Sequence, residues 1–294
     1  MTAVPLVSII LPTRDRAALL PRAVASVLAQ TERDWELILV DNNRGEPPLA
    51  GQAAVQTWLA DPRVRLLQAN AANAAAVRNC GLGNARGEWI TYLDDDDAYR
   101  PEKLARQLAL ARRTGAGLVL CGATFHLRGR DRVVQGGVTE WRGDDVLMHA
   151  RWNTPLLLHR HPGERRFDET LSSGEDAEFA HRLLAWDSAL VVPVEPMPLV
   201  DIYPQTGSRV NTNPAPLRAT AARILALRRN FFSRPARRRY LLQNLLAVAK
   251  LTGRPGRCVA LSGRLLCESH GADWRPCANA LAVSLGVFPG RWVS

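Results

Sequence analysis

The sequence offers little to a cysteine-based framework. Five cysteines, Cys80, Cys121, Cys258, Cys267 and Cys277, fall at no zinc-ligand spacing, and an odd number leaves no closed disulfide set. They read as reduced thiols in a cytosolic protein. Also missing is an uncharged apolar run near the roughly 18 residues that a bilayer-spanning helix needs. The stretch from Met1 to Pro12 lacks the basic and long apolar regions of a signal peptide, so a cytoplasmic location is expected. The first turn lacks the Gly-rich fingerprint of dinucleotide-binding or P-loop folds, so phosphate charge must be met in another way. The six histidines are His126, His149, His159, His161, His181 and His270; they are scattered and suggest surface or packing positions rather than a metal set.

Acidic residues are almost absent from one end of the chain. Residues 209–294 hold 15 basic and 2 acidic side chains, whereas residues 1–208 hold 23 basic and 26 acidic. A slightly acidic body of 1–208 therefore carries a strongly basic extension of 209–294. At 294 residues and 47% apolar content the chain can bury a full α/β core.

The body alternates strand and helix signals, which predicts a mostly parallel sheet with helices on its faces. Strands are expected at Val7–Leu11, Trp35–Val40, Val64–Leu67 and Trp89–Leu93. Later ones are expected at Leu118–Cys121, Val133–Gln135, Pro155–Leu158 and Leu190–Val194. Helical patterns cover Ala17–Gln30, Val55–Leu59, Ala71–Ala85 and Glu102–Arg113, the last with Pro101 at a first helical position. In open parallel sheets ligands bind beyond the carboxyl ends of the strands. Pro12-Thr13, Asp41 and the run Asp94-Asp95-Asp96-Asp97 all lie at such ends. Four adjacent like charges after a buried strand repel one another. They suit either a solvated acidic turn or a hard divalent cation held by oxygen ligands.

These stretches resemble the family 2 glycosyltransferases of GT-A fold. VSIILPTRDR (residues 7–16) is similar to that family's opening strand and turn, and LILVDNN (37–43) to its second strand. NAAAVRNCGLGNARGEWITYLDDDDAYRPEKL (73–104) resembles the approach to its DxD metal motif. FDETLSSGEDAEFAHRLL (167–184) resembles the segment with the catalytic base. The likeness covers roughly residues 5–208, in order. It implies a nucleotide pocket lined by Pro12, Thr13 and Arg14, with Asp41 accepting from the base, Asn73 beside it and Arg78 in support. Asp94 would contact the ribose and share the metal, Asp95 would fill the variable middle place, Asp96 would hold the metal and Asp97 would stand behind it. Thr13 and Asp41 alone would equally suit a turn or a helix cap, and Arg78 a structural ion pair.

The implied reaction explains the residue types. A nucleoside diphosphate leaving group gains negative charge as the anomeric bond breaks, and Mn²⁺ or Mg²⁺ across its phosphates acts as a Lewis acid. The acceptor hydroxyl loses its proton to a positioned base. The family pattern points to Asp176 as that base and to Glu175 as an acceptor or orienting contact, although both also suit first-turn acids of a helix. One base opposite the leaving group implies inversion. The expected donor is a UDP-sugar, and the expected acceptor a glycan or lipid-linked hydroxyl in surface polysaccharide or glycolipid synthesis. Trp141 and Trp152 flank the acceptor region as a sugar-stacking platform or as packing residues.

Two departures from the family pattern stand out. Asn42-Asn43-Arg44-Gly45 replaces the usual turn after Asp41, and Thr206 stands where the family often has a histidine, with Arg209 nearby. The extension reads as helices at Leu217–Phe232, Arg239–Leu251, Val259–Leu266 and Ala278–Phe288, broken by Pro235, Pro255 and Pro276. Its arginines beside Phe231-Phe232 and Leu241-Leu242 suit an anionic inner membrane face or a solvated face of a packed helical layer. Nucleic-acid binding through this tail would leave the four aspartates without work, so no nucleic-acid partner is expected. A non-catalytic protein of the same fold is a further alternative, and a sugar nucleotidyltransferase would need a Gly-rich, Lys-bearing start that is missing.

Overall fold

The computed structural model describes residues 4–45, 47–127, 129–184, 190–203, 214–227 and 232–251. Contacts divide the chain into two units, Met1–Thr206 and Gly207–Ser294.

The first unit opens on a run of buried apolar residues, β1 (Val7–Thr13), followed by a 3-10 turn at Ala17–Leu19 and α1 (Leu20–Leu28). The expected helix from Ala17 therefore starts tighter, with Pro21 in the first turn of α1, where no amide donor is needed. There follow β2 (Trp35–Asp41), α2 (Ala53–Leu59), β3 (Val64–Gln68), α3 (Ala74–Asn84), β4 (Trp89–Tyr92), β5 (Ala98–Tyr99) and α4 (Lys103–Thr114). Then come β6 (Leu118–Leu127), β7 (Arg130–Val134), β8 (Glu140–Arg142), α5 (Asp144–Met148), β9 (Leu158–Arg160), α6 (Glu175–Leu183) and β10 (Val191–Ile202).

The ten strands form one sheet with the order β3-β2-β1-β4-β9-β6-β10-β5, while β7 pairs with β6 and β8 with β10. The strands β1, β2, β3, β4, β6 and β10 run one way, and the short β5, β7, β8 and β9 run the other. The chain leaves β1 toward β2 on one side and returns to β4 on the other, which makes a crevice at the carboxyl ends of β1 and β4. Burial on both sides explains why β1 and β2 read as continuous apolar runs, Val7, Ile9, Ile10 and Leu11 beside Leu37, Ile38, Leu39 and Val40. The helix α3 packs on β1 and β2, and α4 on β6 and β10. The approach of α3 needs Gly81, where a Cβ would lie 2.5 Å from the Ile10 Cγ2.

Two expectations are corrected. The strand expected at Pro155–Leu158 is a 3-10 turn at Thr154–Leu156, with β9 starting only at Leu158. Lacking an amide hydrogen, Pro155 cannot join a ladder between two neighbours, and β9 sits between β4 and β6. In the second unit Pro235 lies in the first turn of α8 (Arg234–Leu251), which packs on α7 (Pro214–Leu227), and so it opens that helix instead of breaking it. The helices expected at Val259–Leu266 and Ala278–Phe288, with Pro255 and Pro276, lie outside the described residues. No helix among the described residues is long and apolar enough to cross a membrane. Cys80 and Cys121 are free thiols, the latter buried, and the other three cysteines lie outside the described residues.

Away from the crevice, Glu36 near the start of β2 is buried and gathers Ser8 Oγ at 2.7 Å, Arg65 at 2.9 Å and the Arg86 guanidinium at 2.7 Å. Burial pushes its carboxyl up, but the Ser8 hydroxyl and the Arg86 and Arg65 donors outweigh this and hold it below its ordinary 4.5. A depressed carboxylate stabilises the fold above its unfolded pKa and loses that contribution as pH falls through the lower folded value. Glu36→Gln is expected to cost about 2–4 kcal/mol at neutral pH, and less in acid below pH 4.5. Urea unfolding of both proteins at several pH values measures this.

Candidate active site

Four adjacent aspartates follow β4, and donors from several elements meet them, with Arg16 shared by Asp95 and Asp96. Asp94 accepts from Arg78 Nη2 at 3.0 Å. Asp95, fully buried, accepts from Thr13 Oγ1 at 2.8 Å and pairs with Arg16 Nη2. Asp96 accepts from Arg16 Nη1 at 3.1 Å, and its backbone carbonyl accepts from Arg22 Nη2. Asp97 accepts from the Tyr203 amide at 3.0 Å. Burial, followed by the neighbouring Asp96 and Asp94, raises the Asp95 carboxyl to about 6 against the opposing pull of Arg16 and Thr13. Burial and Asp94 likewise raise Asp97.

Asp94, Asp96 and Asp97 each offer an oxygen within 4.8 Å of the other two. Such a set of hard carboxylate oxygens fits magnesium or manganese. Asp95 is turned away onto Thr13 and Arg16.

A second bank of acids opens α6. Gly174 takes a left-handed conformation, φ 74°, that ends the preceding loop and lets Glu175 and Asp176 start the helix. Arg78, only 8% exposed, joins the two banks: Nη2 reaches Asp94 and Nη1 donates to Glu175 Oε1 at 3.1 Å. Asp176 accepts its own neighbour's amide, Ala177 N, at 2.7 Å. Burial, then the adjacent Glu175, raises its carboxyl to about 7, while Ala177 N and Arg78 pull the other way. A carboxyl group poised near neutrality is suited to taking a proton from a hydroxyl.

The remaining expected residues are placed as follows. Thr13 and Asp41 face one another in register at the ends of β1 and β2. Asp41 is buried, and its two oxygens accept the amides of Asn43 at 2.9 Å and Leu49 at 2.8 Å, which shapes the loop after β2. Asn73 caps α3 through Ala76 N at 3.0 Å and donates to the Glu169 carbonyl at 2.7 Å. Pro12 is half-buried and Arg14 exposed at the same strand end. Trp152 packs on His181 with ring centres 5.2 Å apart, and Trp141 donates to Gln135 Oε1 at 3.1 Å. Thr206 and Arg209 lie outside the described residues.

Several residues around the site were not anticipated. Arg16 and Arg22 carry no local signature beyond following β1. Tyr203 lies between the Arg22 guanidinium, 3.8 Å from its ring centre, and the stacked His126 at 4.5 Å. Asn79 clasps Phe167 by both its amide, at 2.8 Å, and its carbonyl, at 2.9 Å. Only tertiary proximity marks these residues.

Residues 8–167 match the family model described as glycosyl transferase family 2, just over half of the chain. The chain belongs to glycosyl transferase family 2. Curated relatives of this family 2 chain include the succinoglycan biosynthesis protein ExoO of Rhizobium meliloti, 31% identical over 191 residues. Another, from Bacillus subtilis, is named an uncharacterized glycosyltransferase, EpsJ, and is 33% identical over 193 residues. The matches cover 59% and 60% of this chain and 54% and 55% of those relatives, so the chain spans about half their length. Among solved structures, Staphylococcus aureus TarS 1-349 in complex with UDP superposes with a TM-score of 0.67 at 15% identity, covering 95% of this chain and 88% of that one. The mannosyltransferase PcManGT of Pyrobaculum calidifontis, in complex with GDP-Man and Mn²⁺, gives 0.57 at 16% identity, covering 97% and 81%. The architecture is the GT-A fold.

Because Arg78 lowers the Asp176 carboxyl, Arg78→Met is expected to raise its pKa above about 7 and to lower the unfolding temperature. Carboxyl-carbon NMR titration and thermal unfolding report the two effects, and an unmoved Asp176 pKa would separate the two banks.

Proposed function

We propose that the chain is an inverting, divalent-metal-dependent glycosyltransferase that moves a sugar from a nucleotide diphosphate donor to a hydroxyl acceptor. The observation that carries this reading is the Arg78 bridge, which ties Asp94 of the cation-binding cluster to Glu175 beside Asp176. On this reading the carboxylates that serve donor and acceptor lie side by side, linked through one guanidinium. A uridine donor is favoured by the likeness in fold to TarS, solved with UDP and with UDP-GlcNAc. Metal dependence is favoured by the Asp94, Asp96 and Asp97 oxygens and by the Mn²⁺ of PcManGT. Surface polysaccharide synthesis is favoured by the relative ExoO.

In this reading Pro12, Thr13, Arg14, Asp41 and Asn73 border the nucleotide, Asp94 faces the ribose, and Asp94 and Asp96 would hold Mn²⁺ or Mg²⁺. When bound, the cation supplies Lewis-acid neutralisation of the leaving diphosphate. Arg78 keeps Asp94 and Glu175 oriented, and Glu175 positions the acceptor. Asp176 takes the acceptor proton as that oxygen attacks from the face opposite the leaving group, so the anomeric configuration inverts.

Asp176→Asn is expected to lower kcat by about 10²–10⁴-fold while sparing donor binding. Since Asp176 must be ionised to act and its carboxyl lies near 7, kcat should rise through that pH and fall tenfold per unit below it. A thermal-shift screen of nucleotide sugars with and without Mn²⁺ identifies the donor through binding linkage. Stabilisation by none of them would refute the proposal.

The second part of the reading concerns residues 209–294, a peripheral anchor for an anionic membrane surface. Its support is compositional: 15 basic against 2 acidic residues, with Arg237-Arg238-Arg239 following Phe231-Phe232. Flotation with phosphatidylglycerol vesicles should carry the full chain upward at low salt, and neutral vesicles should not. Equal behaviour with both would dismiss the anchor.

A further inference from the structure

Arg16 has no part in the scheme above, yet it holds the metal-ligand candidate Asp96. Its Nη1 donates to Asp96 Oδ2 at 3.1 Å, and its Nη2 pairs with Asp95, whose other oxygen is taken by Thr13. The Arg16 Nε is buried and has no hydrogen-bond partner among the described residues. A buried donor left unmatched costs free energy until an acceptor reaches it.

We propose that Arg16 is an internal counter-ion that competes with the divalent cation for Asp96 and surrenders it when a diphosphate arrives, a role that rests on the metal-dependent reading above. Arg16 and the cation cannot both take Asp96 Oδ2 at full strength, because they offer like charge to one oxygen. Donor-free protein therefore binds the cation weakly. A guanidinium forms forked hydrogen bonds to phosphate as readily as to carboxylate, and the unmatched Nε is a donor waiting for such an oxygen. Movement is open to Arg16, which is 23% exposed on the loop after β1. Arg78, 9% exposed and held by two carboxylates on separate elements, is fixed by contrast. Asp95 keeps Thr13 after Arg16 departs, so the exchange leaves one carboxylate anchored. The consequence is an order of binding in which the diphosphate opens the cation site.

The test is a Mn²⁺ titration of the full chain, read by electron paramagnetic resonance of free Mn²⁺, with and without UDP and corrected for Mn²⁺ bound by UDP alone. Donor-free Arg16→Ala is expected to bind Mn²⁺ at least about tenfold tighter than wild type, since a like charge beside the site has been removed. Arg16→Lys should fall between them. UDP should strengthen Mn²⁺ binding more in wild type than in Arg16→Ala. Arg16→Gln, neutral but still hydrogen-bonding, gives the same reading if the alanine variant does not fold. General damage to the fold would weaken cation binding, so a gain is specific to competition. Equal or weaker donor-free binding in the variants, while UDP-loaded wild type binds Mn²⁺, would overturn the counter-ion role. A wild type that binds UDP, as thermal shift reports, and still binds no Mn²⁺ would instead remove the metal-dependent reading, and the counter-ion role with it.

Discussion

Four consecutive carboxylates at the end of one strand set the central constraint. Unscreened neighbours of like charge repel by several kcal/mol in a partly buried setting, on the order of 4 kcal/mol per pair at 4 Å. The chain meets this with donors drawn from several elements, one of which, Arg16, serves both Asp95 and Asp96. Arg16 comes from the loop after β1, Arg22 from α1, Arg78 from α3 and the Tyr203 amide from the end of β10. The crevice is thus where four separate parts of the fold are drawn together. The same acids that would hold a divalent cation also organise the polypeptide around themselves.

Beneath the acids the support is polar and buried. Lys103 of α4 is fully buried, donates to Thr91 Oγ1 at 2.9 Å and lies 4.1 Å from the Tyr99 ring centre. Burial alone lowers its amine to about 8. Tyr99 in turn donates to the Tyr92 carbonyl, and the Tyr92 hydroxyl meets His159 Nε2 at 3.1 Å. The His159 Nδ1 donates to the Arg160 carbonyl at 2.7 Å, and burial depresses the imidazole to about 4, so the ring is neutral and its Nε2 accepts. A connected network of this kind leaves β4 few alternative positions, which fixes where the aspartates emerge.

The parallel half of the sheet was readable because β1 and β2 are long buried runs, and β4 a shorter one, closed by polar turns. Of the short reversed strands only β7 was signalled, at Val133–Gln135. With two residues in β5 and three each in β8 and β9, no periodicity can develop, and their pairing depends on long-range neighbours. Pro155 misled for a physical reason: an apolar run through a proline resembles a strand until the missing donor is placed between two partners. At the site, the carboxylates were legible because acids clustered after an apolar strand are unusual. Their arginines were not, since a single Arg16 or Arg22 in a loop or first helical turn looks like any solvated cation. Asp41 and Asn73 show the opposite difficulty, as their side chains also serve the backbone that surrounds them.

The Asn79 side chain imitates a strand neighbour for Phe167, and Asn73 fastens the Glu169 carbonyl a little further on. Both asparagines ride on α3, beside Arg78. Five residues, Thr170-Leu171-Ser172-Ser173-Gly174, with Leu171 buried, separate this double fastening from the start of α6. The backbone turns at Gly174, φ 74°, directly before Glu175 and Asp176, so the first turn of α6 takes its direction from a chain secured twice to α3 a few residues upstream.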